Sequence, residues 1–348
     1  ASSVDGDLDV TATTGDITQT GALAITGTTT LLTSADGADI DLSTTTNAFT
    51  GALTITTNDN TDYEAHATID GGTTALIIAA STIDGDLTLT SGAAAGITDS
   101  GTVTLGGNLS ATTDANNGTI TLNQLAVTGT IELNTVVVSN TGEAQAGGAT
   151  AITLASGANG TDDFYNSMSV YISDGTGAGQ VRTISDYDGT TKVATISSAW
   201  TTVPTTDSDY EVRSSFGDAT VVNTTSLDFE SAVVGGDFAA TATNGEITQL
   251  GALNIAGTAD FLSSSSGNII LDSAANDFVG NVRFIGGAVV IKDANDINFG
   301  IGDSTAAGTR ADSSGNQYAL KVYAGDEITD TADLFVTGGN AWFGTNNA

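Results

Sequence analysis

Few side chains in this chain could carry chemistry, and they lie far apart. The single histidine, His66, sits between two alanines in the polar stretch 58–74, and there is no cysteine. An imidazole can act as base or ligand near neutral pH. A Ser-His-Asp triad would have to run through His66, yet no serine occupies the strand-turn-helix setting that exposes a nucleophile. Carboxylates are plentiful. Asp36, Asp39 and Asp41, then Asp59 and Asp62, offer hard oxygen ligands suited to calcium, the one cofactor the sequence suggests. No EF-hand loop or Gly-Gly-x-Gly-x-Asp nonapeptide accompanies them, so a solvated acidic turn is the competing reading. Gly175, Gly177 and Gly179 are spaced like a nucleotide loop, but the strand pattern Gln180–Ile184 follows where a helix would be needed; a hairpin or bulge is expected. Tyr187, Trp200 and Tyr210 could stack on sugars. No enzyme is expected from this set.

Charge narrows the partners. The chain has 348 residues, and 41 acidic side chains face 7 basic ones, a net charge of -34; every basic residue, from Arg182 on, lies in the second half. A phosphate-tracking groove needs Lys and Arg, so neither nucleic acid nor an anionic membrane is an expected partner. Such a surface stays soluble in salt and attracts divalent cations. Calcium is therefore expected to stabilise the chain where sodium chloride alone would not. No apolar run is long enough for a membrane span.

What must position these residues is a repeat. Gly6, Gly15, Ile17, Gln19, Gly21, Leu23, Ile25 and Gly27 recur 230 positions later as Gly236, Gly245, Ile247, Gln249, Gly251, Leu253, Ile255 and Gly257. At an offset of 229, Ile40, Leu42, Asn47, Phe49 and Gly51 recur as Ile269, Leu271, Asn276, Phe278 and Gly280. A weaker copy runs from Gly85 to Ile131. Within each copy the unit is glycine followed by alternating aliphatics, as in GALAI at 21 and GDLTL at 85. Period-two alternation means short strands with one buried face. So short an apolar face needs neighbours to cover it, which predicts an all-β fold, a parallel β-solenoid with the handedness of a right-handed β-helix.

The Gly-x-Leu-x-Ile strands, with Thr, Ala, Asn and Asp between them, resemble those of filamentous-haemagglutinin-like bacterial adhesins and giant β-strand-repeat surface proteins. The resemblance covers 1–140 and about 220–300, and it implies an extracellular, cell-surface location. The Asn-Pro motifs of that family's secretion domain are missing, since the only proline is Pro204. From Gly147 to Arg213 the chain turns aromatic, with Phe164, Tyr165, Tyr171, Tyr187, Trp200 and Tyr210, and Asp188-Gly189 signals a hairpin. This stretch reads as an inserted small β domain and resembles a module of phage tail and surface proteins. The expected layout is solenoid over 1–145, insertion over 146–215, solenoid over 216–300, and a C-terminal cap or exchanged strand over 301–348.

These readings predict an extracellular structural protein: a self-associating filament, a surface-layer subunit or an adhesin segment. A phage tail-fibre protein and a carbohydrate-binding module that meets cell-surface glycans are the alternatives. The first recognisable strand starts close to Ala1, so its rung is expected to be bare. Leu8 and Val10 there, with Leu334, Phe335, Trp342 and Phe343 in the tail, are the residues expected to join copies head to tail.

Overall fold

The computed structural model describes residues 1–58, 65–115, 117–214, 217–263, 267–304, 318–337 and 339–345, and among them every regular element is a β-strand. The chain forms two compact units, Ala1–Thr135 with Gly217–Ala348, and Val136–Phe216.

The first unit is the expected parallel β-solenoid. Its strands stack into two long sheets, of 15 and 14 strands among the described residues, and a short third sheet of Ser2–Val4, Leu23–Ile25 and Ala48–Phe49. Sheet I starts with Leu8–Ala12, Thr29–Thr33 and Leu53–Thr56, and sheet II with Ile17–Thr18, Ile40–Leu42 and Ala67–Asp70. All their pairings are parallel, with Leu8 opposite Thr29 and Thr29 opposite Leu53. Sheet I forks after Leu53–Thr56 into Leu76–Ile78 and Ser81–Ile83, and the branches rejoin in Ile120–Val127. One turn of the coil is about 22 residues, the separation of Asp86 from its ladder partner Asn108. The repeat seen in the sequence therefore spans two coils.

The glycine heading each unit is needed for close approach between coils. The Gly27 N–H donates to Gly6 O at 2.9 Å, and a Cβ on Gly27 would lie 2.5 Å from the Gly6 carbonyl carbon. At Gly51 it would lie 2.3 Å from Gly27 O. Any larger residue would push neighbouring coils apart along this column.

The inward residues form one continuous apolar cluster. Before the insertion it is mostly aliphatic. After it, Phe229, Phe238, Phe261 and Phe278 form an edge-to-face file with centroids 5.5, 5.8 and 5.9 Å apart, a geometry that adds to their burial. Recurrence of Gln19 and Asn47 as Gln249 and Asn276 also has a physical cause. Asn47 is buried; its Nδ2 donates to Gln19 Oε1, Leu42 O and Asp70 O, and its Oδ1 accepts from Leu23 N and Gln19 Nε2. Asn276 makes the equivalent bonds to Gln249, Leu271, Lys292 and Leu253. One amide thus ties three successive coils together in each copy.

The tail was expected to be a cap or an exchanged strand. It adds a coil to its own chain: Ile328–Asp330 and Leu334–Val336 pair in parallel with Ile297–Ser304, and Asn340–Thr345 pairs with Tyr318–Ala324. Its irregular composition hides alternating strands that obey the same register rule.

The second unit is an antiparallel sheet of seven strands among the described residues. Their order is Val137–Glu143, Asp209–Ser214, Ser169–Asp174, Val181–Asp188, Val193–Ile196, Ala151–Thr153 and Ala146–Gly148. It starts earlier than 146, because Val137–Glu143, whose valines mimic a solenoid strand, pairs antiparallel with Asp209–Ser214. Gly175, Gly177 and Gly179, with φ of 77°, 85° and 86°, shape the hairpin loop between two paired strands, as the strand pattern after them requires. The solenoid closes across the insertion: the Thr135 hydroxyl donates to Gly217 O at 2.7 Å and accepts the Gly235 N–H at 3.0 Å. Core stacking continues, with Leu122 opposite Val221 and Leu133 opposite Ala232.

Replacing Asn276 by alanine strands a backbone N–H and two carbonyls in the core. It is expected to cost about 2–4 kcal/mol, read as a lowered urea midpoint, and Asn47→Ala should do the same.

Candidate functional site

Many acidic side chains prove to be part of the stacking. A file of residues, one per coil, passes a hydrogen bond from each side chain to the next backbone. Asp16 Oδ1 accepts from Asp39 N (3.0 Å), Asp39 Oδ1 from His66 N (2.8 Å), and His66 Nδ1 from Asp86 N (2.9 Å). Asp86 Oδ1 then accepts from Asn108 N (2.7 Å), and Asn108 Oδ1 from Thr130 N (2.8 Å). Asp218, Asp237 and Thr258 repeat the device after the insertion. The lone histidine is thus a rung of a ladder. Because Nδ1 accepts, the neutral ring carries its proton on Nε2. The pattern was visible in the sequence as Asp or Asn after glycine in units such as GDLTL and GNLSA, but only the coil length aligns those residues.

This geometry gives Asp39 a backbone partner, and Asp41 Oδ1 likewise accepts from Ser43 N at 3.0 Å. Asp36 lies exposed in the preceding turn. Among the described residues no three acidic or histidine side chains converge as a metal site, so Asp36, Asp39 and Asp41 are not gathered into one. Asp59 and Asp62 lie outside the described residues.

The sugar-stacking trio needs correction. Tyr187, Trp200 and Tyr210 are 1%, 6% and 1% exposed and fill the core of the second unit. Tyr187 donates to Asn159 O, Tyr210 to Asn140 Oδ1, and Trp200 Nε1 to Ala151 O. Burial, helped by Tyr165, Tyr210 and Asp188, pushes the Tyr187 hydroxyl up to about 12. Concentrated aromatics marked a compact core, and their faces are covered.

The residues expected to join copies occupy opposite ends of the stack. Leu8 and Val10 pack half-buried on the core, in a strand paired with Thr29–Thr33 alone among the described strands. Leu334 is likewise half-buried in the final coil, Trp342 is half-buried, and Phe335 and Phe343 are exposed.

Two surfaces escaped the sequence reading, and both lie in the last coils. On the outer face of sheet I, Leu262, Ile285 and Ile301 are 42%, 48% and 58% exposed beside a groove of about 390 Å³. Arg283 and Asp260 pair across its floor. Ile285 stands where the first copy has Thr56, so comparing outward positions between copies would have revealed the change. On the outer face of sheet II, Lys292 and Lys321 lie among Tyr318, Tyr323 and Trp342.

Asp293 is a buried titratable group at this end. It accepts from Phe278 N and Asn295 N, both at 2.7 Å, yet burial dominates and, with Asp277 and Asp296 nearby, pushes its carboxyl up to about 7. The folded chain then holds this proton more tightly than the unfolded one, whose carboxyl keeps a value near 3.8. Raising the pH from about 4 to about 7 therefore costs stability at this site, on the order of 3–4 kcal/mol, and the cost persists above that range. Asp293→Asn is expected to flatten this slope. Thermal midpoints from pH 4 to 8 for both proteins check it, the lost acceptor in the variant adding an offset independent of pH.

A family model described as repeats of unknown function (DUF5649) matches residues 1–56, 64–126 and 217–284, more than half of the chain, and its matches leave out the second unit. Among curated proteins and among solved structures, none matches the chain. The matched blocks are solenoid coils on both sides of the insertion, and the chain belongs to the DUF5649 family of repeats.

Proposed function

We propose that this chain is an extracellular structural segment, a filament or surface-layer subunit or an adhesin stalk, in which copies join head to tail along the solenoid axis. The observation that supports this reading is the stack itself. Coils are held to one another by backbone and side-chain ladders, so length grows one coil at a time, and each coil's edge is a template for the next. The strands Leu8–Ala12 and Leu334–Val336 each have a single lateral partner among the described residues. What covers those edges is either more of the same chain or a second copy. Contacts between unlike ends do not close, which favours a linear polymer. The strong negative charge suits a saline exterior, and the role is structural rather than catalytic.

Light scattering and negative-stain imaging test it. The chain is expected to form linear oligomers that grow with concentration. Because the chain has no cysteine, mixed Asp9→Cys and Phe335→Cys variants should cross-link between copies. A chain that stays monomeric at every concentration, or a mixture of the two cysteine variants that does not cross-link, overturns the reading.

A further inference from the structure

Outward side chains on sheet I change character along the stack. Thr30, Thr54 and Thr56 line early coils, whereas Leu262, Ile285 and Ile301 stand 42%, 48% and 58% exposed on late ones. Register sets two columns on this late face. Thr241, Leu262 and Ile285 follow one another in the first, and Ala239, Asp260 and Arg283 in the second. Asp260 and Arg283 are bonded to each other, yet their side chains remain 37% and 49% exposed. Two adjacent coils thus present the same motif with the charge inverted: an ionic residue and, two positions along the strand, an aliphatic one.

We propose that this face is a lateral contact between two copies of the chain, related by a two-fold axis that runs along the strands between the coil of Asp260 and the coil of Arg283. Such an axis inverts the order of the coils and keeps positions along the strand. Asp260 then faces Arg283 of the second copy, Leu262 faces its Ile285, and each contact is made twice, as an isologous interface requires. The match extends outward. Phe335 stands two coils after Ile285 in the aliphatic column and Val222 two coils before Leu262, so the same axis brings those two together.

The charge pattern selects a second copy as the occupant. A guanidinium keeps further N–H donors after a bidentate bond to one carboxylate, and these can meet the Asp260 of another chain. Arg283 is one of 7 basic residues in a chain of net charge -34, and where it offsets Asp260 a like-charged copy can approach. A membrane would cover the aliphatic side chains but leave the Asp260 carboxylate against hydrocarbon. Coils before the insertion offer no mate, since Thr56 stands where Ile285 does in the repeat. Sheets pack face to face at about 10 Å, and the groove of about 390 Å³ beside Leu262 and Ile285 gives the facing side chains room to interlock. This contact is independent of the axial one. It closes as a pair, and where axial growth also occurs it joins filaments side by side with opposite polarity.

Cross-linking tests it. The chain has no cysteine, so Ile285→Cys supplies a single thiol. Across the proposed axis two such thiols lie one coil apart along the stack, roughly 5 Å, within reach of a short bis-maleimide; a head-to-tail contact keeps them a whole solenoid apart. A dimer band is expected on denaturing gels, and its yield should rise from low salt to about 0.15 M as long-range repulsion is screened. Thr56→Cys should give about tenfold less. Adding Asp260→Arg or Arg283→Asp to Ile285→Cys sets like charges opposite each other, and each is expected to lower the yield about tenfold. Mixing these two variants should restore it, because a doubly basic patch then faces a doubly acidic one. Their thermal midpoints should stay near that of the intact chain, as for an exposed ion pair. Should a charge variant unfold, the comparison of Ile285→Cys with Thr56→Cys still decides. No dimer from Ile285→Cys, an equal yield from Thr56→Cys, or a mixture no better than its parts overturns the proposal. An Ile285→Cys dimer formed in a chain that does not polymerise would support this contact while the axial reading fails.

Discussion

The distance between neighbouring parallel strands governs everything else in the first unit. Backbone hydrogen bonding sets it near 4.8 Å, and at that spacing every residue lies against its counterpart one coil away. Each coil must therefore have almost the cross-section of its neighbours. Glycine stacks on glycine at Gly6, Gly27 and Gly51 because no Cβ fits between them. A buried amide such as Asn47 can serve three coils at once because all three present their backbone at the same height. Where the core changes from aliphatic to aromatic, it changes as a file: Phe238, Phe261 and Phe278 follow one another rather than appearing singly.

The same constraint explains the acidity. Near each strand entry a backbone N–H needs an acceptor, and the side chain one coil back is within reach. Aspartate serves well because its short arm holds an oxygen close to the main chain. The pair of bonds from Thr28 to Asp7 is one example, and those bonds hold the Asp7 carboxyl below its usual range. Asn108 and His66 perform the same task with different charge, so the position selects an acceptor, not a negative charge. Part of the net charge is thus a by-product of building coils from short acceptors.

Much of this was legible in the sequence. Period-two alternation after glycine revealed strands, and recurrence at offsets of 230 and 229 revealed stacking, because both depend on local composition alone. The inserted unit was legible as a change in aromatic content. Its edge was misplaced because Val136, Val137 and Val138 look alike whether the strand that follows pairs in parallel or antiparallel. The sugar-stacking residues were misread for a related reason: Tyr187 and Trp200 show by type that a core exists, while only the fold shows which face is covered. The lysine and aromatic cluster of sheet II stayed hidden because Lys292, Lys321 and Trp342 are far apart along the chain and meet only through coil register.

The clasp at the insertion has a consequence for how such chains change. Thr135 and Gly217 touch although a whole folded unit lies between them in sequence. The solenoid therefore treats the excursion as a side branch from a closed ring, and the entropy of closing a loop rises only slowly with its length. A different folded module, or none, could leave the same two residues and present the same hydrogen bond to the coils above and below. The junction thus sets one requirement on whatever lies between Thr135 and Gly217, that it return the chain to this hydrogen bond.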